Sequence, residues 1–279
     1  MTHPAIPSLP GTSIEIVNPR LERGQIRHAL FDFDGTVSLI REGWQGVMIP
    51  MMVELLLQTP RHESEAELYA VVTKYVERLT GKQTIFQMLQ LREEIRKRGG
   101  QPDEALAYKR AYHDRLWALI RGRVAGLKAG AIMPEDMMVP GTLDMIKAVC
   151  ARGVTCYLAS GTDETYVLGE SAALGLTSYF AGIYGALDDY QNYSKRQVIE
   201  RIIAQHELKG SQFVAFGDGY VEIEDTKAVG GIAVGVASNE ATRSGIDEWK
   251  RRRLIAAGAD IIVPDFREGS HLLTYLGFS

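Results

Sequence analysis

Cysteine is nearly absent from this chain: among 279 residues only Cys150 and Cys156 occur. Two thiols cannot build a disulfide framework or a cysteine zinc site, and the expected compartment is the cytoplasm, with both reduced. No run approaches the roughly 20 apolar residues of a membrane span. The longest candidate, 47–57, is interrupted by Pro50 and Glu54. The N-terminus MTHPAIPSLPGTS lacks the basic and apolar regions of a signal peptide. Basic residues are not in excess, since 31 Lys and Arg against 35 Asp and Glu leave a net charge of −4. That balance speaks against a general nucleic-acid binder. The six histidines show no ligand spacing of the HExxH kind, and there are no internal repeats. What is present is an ordinary globular composition, 46 % hydrophobic and 24 % charged, which excludes a disordered chain.

Three zones follow one another. Residues 1 to about 27 hold several prolines and one short β-like run, Ser13–Val17, expected to be an edge strand or hairpin. A strong strand starts at His28 and ends in Asp32-Phe33-Asp34-Gly35-Thr36. Residues 40–139 read as helix throughout, with apolar residues at helical spacing in 63–79, 84–98 and 103–128. From Pro140 helices alternate with short apolar strands at 154–159, 180–184, 212–216, 232–237 and 260–263. Helices are expected at 142–152, 163–174, 195–206, 221–229, 243–257 and 270–276, with Ser194 as an N-cap. This alternation implies an α/β fold, a Rossmann-like parallel sheet with helices on both faces. The core is expected to comprise 1–39 and 140–279, with 40–139 as an inserted all-α cap domain.

In open parallel sheets ligands bind at the carboxyl ends of strands, and polar clusters stand at that end of three strands. Asp32 and Asp34 are two residues apart on a strand, so both can face one cavity. Two carboxylates that close repel unless a cation or proton is shared, a conflict that a divalent metal and a phosphoryl group would resolve. Ser160-Gly161-Thr162 directly follows a strand and is expected to open a helix, where amides and hydroxyls make a phosphate-sized anion site. Lys195 sits in the first turn of a helix, against the dipole, which aims it at an anion. Asp218 and Glu222, four residues apart after the strand at 212–216, suit a hard cation such as Mg²⁺.

Together these elements resemble the signature of the haloacid dehalogenase superfamily. DFDGT matches its first motif and Ser160-Gly161-Thr162 its second; Lys195 stands where the third belongs, and GDGYVEIEDTKAVGG resembles the fourth, with Glu222 where Asp is commoner. The long helical insertion resembles the family's helical cap. The resemblance implies that Asp32 is a nucleophile forming an aspartyl-phosphate and that Asp34 is the general acid and then the base. Thr36, Ser160, Gly161, Thr162 and Lys195 would bind the phosphoryl group, and Asp32, the backbone carbonyl of Asp34, and Asp218, with Glu222 assisting, would hold Mg²⁺. An acid at position 34 favours phosphoester chemistry, since a departing halide needs no proton. The expected function is a Mg²⁺-dependent phosphatase acting on a small phosphorylated metabolite. The alternatives are a phosphomutase of the β-phosphoglucomutase type and an inactive scaffold that binds phosphorylated ligands.

Arg41, Glu42 and Trp44, close after the first motif, and Thr80-Gly81-Lys82-Gln83, between two helices, are candidates for contact with substrate. The basic run Lys250-Arg251-Arg252-Arg253 reads as a solvated helix face in an acidic protein, and Met48–Met52 as core packing or lining near the hinge of the cap.

Overall fold

The computed structural model describes residues 6–189 and 194–278. Short, wholly buried apolar runs become the central strands: β2 (His28–Asp32), β5 (Phe213–Gly217) and β6 (Ile232–Val236) have no exposed position. β1 (Glu15–Ile16), β3 (Thr155–Asp163), β4 (Gly182–Ala186) and β7 (Ile261–Val263) complete a seven-stranded sheet in the order β1-β7-β6-β5-β2-β3-β4. All neighbouring pairs are parallel except β1 with β7. The edge strand expected at 13–17 is thus present, shortened to its centre.

The strand order positions the site. From β2 the chain builds outward through β3 and β4, then returns to β5 on the other side of β2. The reversal between β2 and β5 is a topological switch point, which opens a crevice at the carboxyl ends of these strands. Register aligns those ends, since Asp32 pairs with Ala159 and Phe31 with Phe216. Below them the sheet is anchored by the stacked Phe31 and Phe216 rings, 4.6 Å apart, with Phe266 edge-on.

Four helices follow β2 within 40–139: α1 (Gln45–Leu57), α2 (Glu65–Leu79), α3 (Thr84–Lys97) and α4 (Ala105–Lys128). Ser64 and Glu67 close a capping box on α2. Met48, Met51 and Met52 are buried in the hydrophobic core, as expected for that segment. The core helices are α5 (Thr142–Cys150), α6 (Glu164–Ala173), α7 (Lys195–Gln205), α8 (Tyr220–Ala228), α9 (Glu248–Ala256) and α10 (Gly269–Leu276). Ser194 caps α7, accepting from the Gln197 amide.

Three local expectations are corrected. Ser160-Gly161-Thr162 does not open a helix: β3 runs on to Asp163 because its pairing with β4 resumes at Asp163 and Ala186 after an irregularity, and α6 starts only at Glu164. The strand expected at 180–184 is displaced to Gly182–Ala186. The helix expected from Arg243 starts at Glu248, because Asp247 caps it, accepting from the Trp249 and Lys250 amides. Arg243 itself adopts a left-handed φ of 54°. Among the described residues no helix is long and apolar enough to cross a membrane.

The insertion rests directly on the carboxyl edge of the sheet. Its α2–α3 loop passes so near Gly161 that a Cβ there would stand 3.0 Å from the Lys82 carbonyl oxygen, and one on Gly81 would stand 3.3 Å from Gly219 Cα. Arg253 of α9 donates to the Glu77 carbonyl at 2.6 Å, and Lys109 of α4 pairs with Asp163 at 2.6 Å.

Candidate active site

A cavity of about 500 Å³ opens between the strand ends and the insertion, within the size range of small-molecule sites. Asp32, Asp34, Ser160, Gly161, Thr162, Lys195 and Asp218 line it, and so do Arg41, Glu42, Trp44, Thr80, Gly81 and Lys82 from the linker and the insertion. The motif residues, scattered over nearly 190 positions of sequence, therefore meet at one place. Two do not reach the wall. Thr36 is wholly buried, its Oγ1 donating to Asp218 Oδ1 at 3.4 Å. Glu222 is wholly buried behind Lys195.

β2 ends at Asp32, so its side chain is delivered by the strand and Asp34 by the turn that follows. Asp32 Oδ1 accepts from its neighbour's amide, Phe33 N–H, at 2.8 Å and lies 2.7 Å from Lys195 Nζ. Lys195 Nζ also donates to Glu222 Oε2 at 3.1 Å. Glu222 Oε1 in turn accepts from the Gly219 amide at 2.6 Å, which caps α8. Gly217 leaves room for this carboxylate, since a Cβ there would lie 2.5 Å from Glu222 Oε1.

Burial pushes the Asp32 carboxyl well above the usual carboxylate range; Lys195 pulls it down, while Glu222 and Asp218 push with burial. Burial works against the Lys195 ammonium too, but Asp32 and Glu222 hold it above the ordinary lysine value. The lysine is therefore a permanently charged group in a dry setting, where its attraction for a further anion is much stronger than in water.

Asp34 faces the second motif. Thr162 Oγ1 donates to its Oδ2 at 2.8 Å and Ser160 Oγ at 3.2 Å, while Arg41 Nε lies 3.7 Å from Oδ1. Arg41 is buried and bonds Glu170 through both Nε and Nη2, the shortest contact being 2.7 Å. That pairing, with Asp34 behind it, holds the guanidinium above its usual value against burial.

Asp32, Asp218 and Glu222 each offer a carboxylate oxygen, and the three oxygens lie within 4.8 Å of one another. Carboxylate oxygens are the donors that hard divalent cations take, so the donor set fits one. Asp34 contributes no side-chain oxygen to that cluster.

The sequence reasoning missed Glu170, Tyr112, Ser238, Glu240 and Lys250. The basic run at 250–253 is not a solvated face: Lys250 is buried and lines the cavity, 2.8 Å from Asp218 Oδ2 and 2.7 Å from Glu240 Oε1. Arg253 stacks over Trp249 at 4.4 Å and Tyr220 at 4.9 Å. Neither the Asp247 cap nor the approach of α9 to the strand ends was announced by the sequence pattern.

Comparison with known proteins is consistent with this geometry. The model of the haloacid dehalogenase-like hydrolase family matches residues 26–230. No match was found among curated proteins. Similar solved structures include a predicted phosphatase from Clostridium acetobutylicum, at 15 % identity and a TM-score of 0.60, covering 90 % of this chain and 100 % of that one. A predicted phosphoglycolate phosphatase from Haemophilus somnus aligns at 16 % identity and a TM-score of 0.58, covering 89 % and 98 %. CbbY from Rhodobacter sphaeroides in complex with phosphate aligns at 19 % identity and a TM-score of 0.56, covering 87 % and 96 %. At these identities the structures are alike in fold, whereas the family match spans most of the sequence: the chain belongs to the haloacid dehalogenase-like hydrolases.

Proposed function

We propose that the chain is a Mg²⁺-dependent phosphatase that hydrolyses a small phosphomonoester by way of an aspartyl-phosphate on Asp32. The observation that carries this reading is the contact of Lys195 with Asp32, at 2.7 Å, beside the clustered carboxylate oxygens of Asp32, Asp218 and Glu222, of which the first two residues line the cavity. An ammonium fixed there neutralises both the attacking carboxylate and the non-bridging oxygens of a phosphoryl group, where transition-state charge resides. Asp32, Asp218 and Glu222, with the Asp34 backbone carbonyl, would hold Mg²⁺, which supplies charge neutralisation between the two anions.

Asp32 attacks phosphorus, and Asp34 gives its proton to the departing oxygen. Asp34 then takes a proton from the water that cleaves the acyl phosphate, which releases inorganic phosphate and restores Asp32. The Thr162 and Ser160 hydroxyls orient Asp34 for both transfers. The strand-end backbone at Gly161 passes close under the α2–α3 loop, so the phosphoryl group would be enclosed between the two. In this role the helical insertion at 40–139 is a cap that excludes bulk water, and Arg41, Trp44 and Lys82 face the leaving group. That a fold relative was crystallised with xylulose-(1,5)bisphosphate makes a sugar phosphate a reasonable first substrate to try.

The test is phosphate release from a panel of metabolite phosphates with and without Mg²⁺, for the native protein and Asp32→Asn. Turnover that needs both Mg²⁺ and Asp32 supports the reading. Isomerisation of a sugar 1-phosphate without phosphate release would favour a mutase, and no turnover across the panel a binding scaffold.

A further inference from the structure

Lys250 is the one ammonium in contact with Asp218 among the described residues, and the fold spends much on placing it there. The side chain is buried, and its Nζ meets three acceptors: Glu240 Oε1 at 2.7 Å, Asp218 Oδ2 at 2.8 Å and Ser238 Oγ at 3.1 Å. The acceptors come from the segments after two strands. Asp218 follows β5, Ser238 and Glu240 follow β6, and Ser238 Oγ itself donates to the Gly35 carbonyl, inside the first motif. Gly35 is tightly wedged into this group at a φ of +74°, where a Cβ would stand 2.3 Å from Asp218 Oδ2 and 3.0 Å from Glu240 Oε1. No residue but glycine would let the carboxylates approach so closely.

Asp218 has little else to fix its rotamer. Its other side-chain hydrogen bond among the described residues, from Thr36 Oγ1, is long at 3.4 Å, near the limit at which such a contact counts. The short bond from Lys250 is therefore the one that sets where the other carboxylate oxygen points.

Charge is arranged to match. Asp32 and Glu222 share Lys195, and Asp218 and Glu240 share Lys250. In each set two carboxylates share a single ammonium, so the lysines do not neutralise the cluster. Lys250 thus orients Asp218 without cancelling the site's demand for a metal, because Glu240 offsets the charge it brings.

We propose that Lys250, braced by Glu240 and Ser238, is a positioning residue that presents the Asp218 carboxylate to the divalent cation. This rests on the phosphatase reading for the cation itself. It extends it to a clamp from α9, far along the chain from the motifs. Outer partners that orient a ligating group commonly set metal affinity by 10- to 100-fold.

Calorimetric titration of Mg²⁺ into the native protein, Lys250→Met, Lys250→Arg and Glu240→Gln tests it, with melting temperatures taken in the absence of metal. The expected result is a Kd at least about 10-fold weaker for Lys250→Met, partial recovery for Lys250→Arg and a smaller loss for Glu240→Gln. A lowered metal-free melting temperature with an unchanged or tighter Mg²⁺ Kd would show a merely structural ion pair and overturn the proposal. Should Lys250→Met not fold, a native Kd in both of the other variants overturns it equally. Absence of Mg²⁺ binding by the native protein would overturn the phosphatase reading together with the clamp, whereas native binding that the variants retain removes only the clamp.

Discussion

Lys195 Nζ stands 2.7 Å from Asp32 Oδ1, with both side chains buried at the carboxyl end of the sheet. This pair joins the first motif of the chain to the start of a helix more than 160 positions later. Here the Lys195 ammonium pulls down a carboxyl that burial, with Glu222 and Asp218, pushes up.

Replacing Lys195 with Met should therefore cost both stability and rate. Removing one partner of a buried pair typically costs about 3–5 kcal/mol, because the other charge stays uncompensated. Here two carboxylates, Asp32 and Glu222, would be left without their ammonium. Denaturant unfolding should show that loss, and kcat should fall by about 10²-fold or more. Native-like stability together with native kcat would exclude the bridging role.

Asp34→Asn separates acid catalysis from binding. General acid help is worth about 10²- to 10⁴-fold, and it matters most when the leaving oxygen is basic. Hydrolysis of an alkyl phosphate should drop by that factor, while an aryl phosphate with an acidic phenol should lose much less in its first step. Equal losses on both substrates would argue that Asp34 serves only to hold the fold of the loop.

Arg41 and Glu170 test how the linker into the insertion is held. Their buried, two-nitrogen pairing lies beside Asp34. Arg41→Met and Glu170→Met should each destabilise by roughly 3–5 kcal/mol. The double variant should lose less than the sum of the two, since neither leaves an unpaired charge. Additive losses would mean that the two residues act independently.

His113 on α4 predicts a pH dependence of stability. Burial, then the Arg41 and Lys109 charges, hold its imidazole down to about 3, against an ordinary value near 6.5. Between these values the unfolded chain binds a proton that the folded chain does not, so stability rises with pH through that window. The contribution is complete above about pH 6.5 and is lost as pH falls toward 3. His113→Gln should flatten the slope of melting temperature between pH 7 and pH 4. An unchanged slope would show that His113 is protonated in the folded protein, paired with Asp163 at 3.7 Å.

Much of this site was legible in the sequence because its elements are local. Asp32-Phe33-Asp34-Gly35-Thr36 ends a strand, and Gly217 to Glu222 leads from a strand into a helix, so strand period and turn chemistry suffice to aim them at one crevice. The placement of Ser160-Gly161-Thr162 was not, because hydroxyls next to a helix signal read as a cap. The strand continues there only because β4 pairs with it at Asp163 and Ala186. Glu170 and Arg41 meet across 129 positions, and no local pattern announces such a pair. Lys250 was hidden for a similar reason: its near neighbour Arg252 does face outward, and the run as a whole carries the signature of a solvated face. Only the docking of α9 against β6 and β7 turns the first member inward.

The central claim is that Asp32 is transiently phosphorylated. The direct measurement is to mix the protein with a hydrolysed phosphomonoester and Mg²⁺, quench in acid, reduce the acyl phosphate with borohydride and map the peptides by mass spectrometry. The account predicts homoserine at position 32, formed only when substrate is present and absent from Asp32→Asn. Turnover without any reduced residue at 32, or with the modification on another carboxylate, would contradict it.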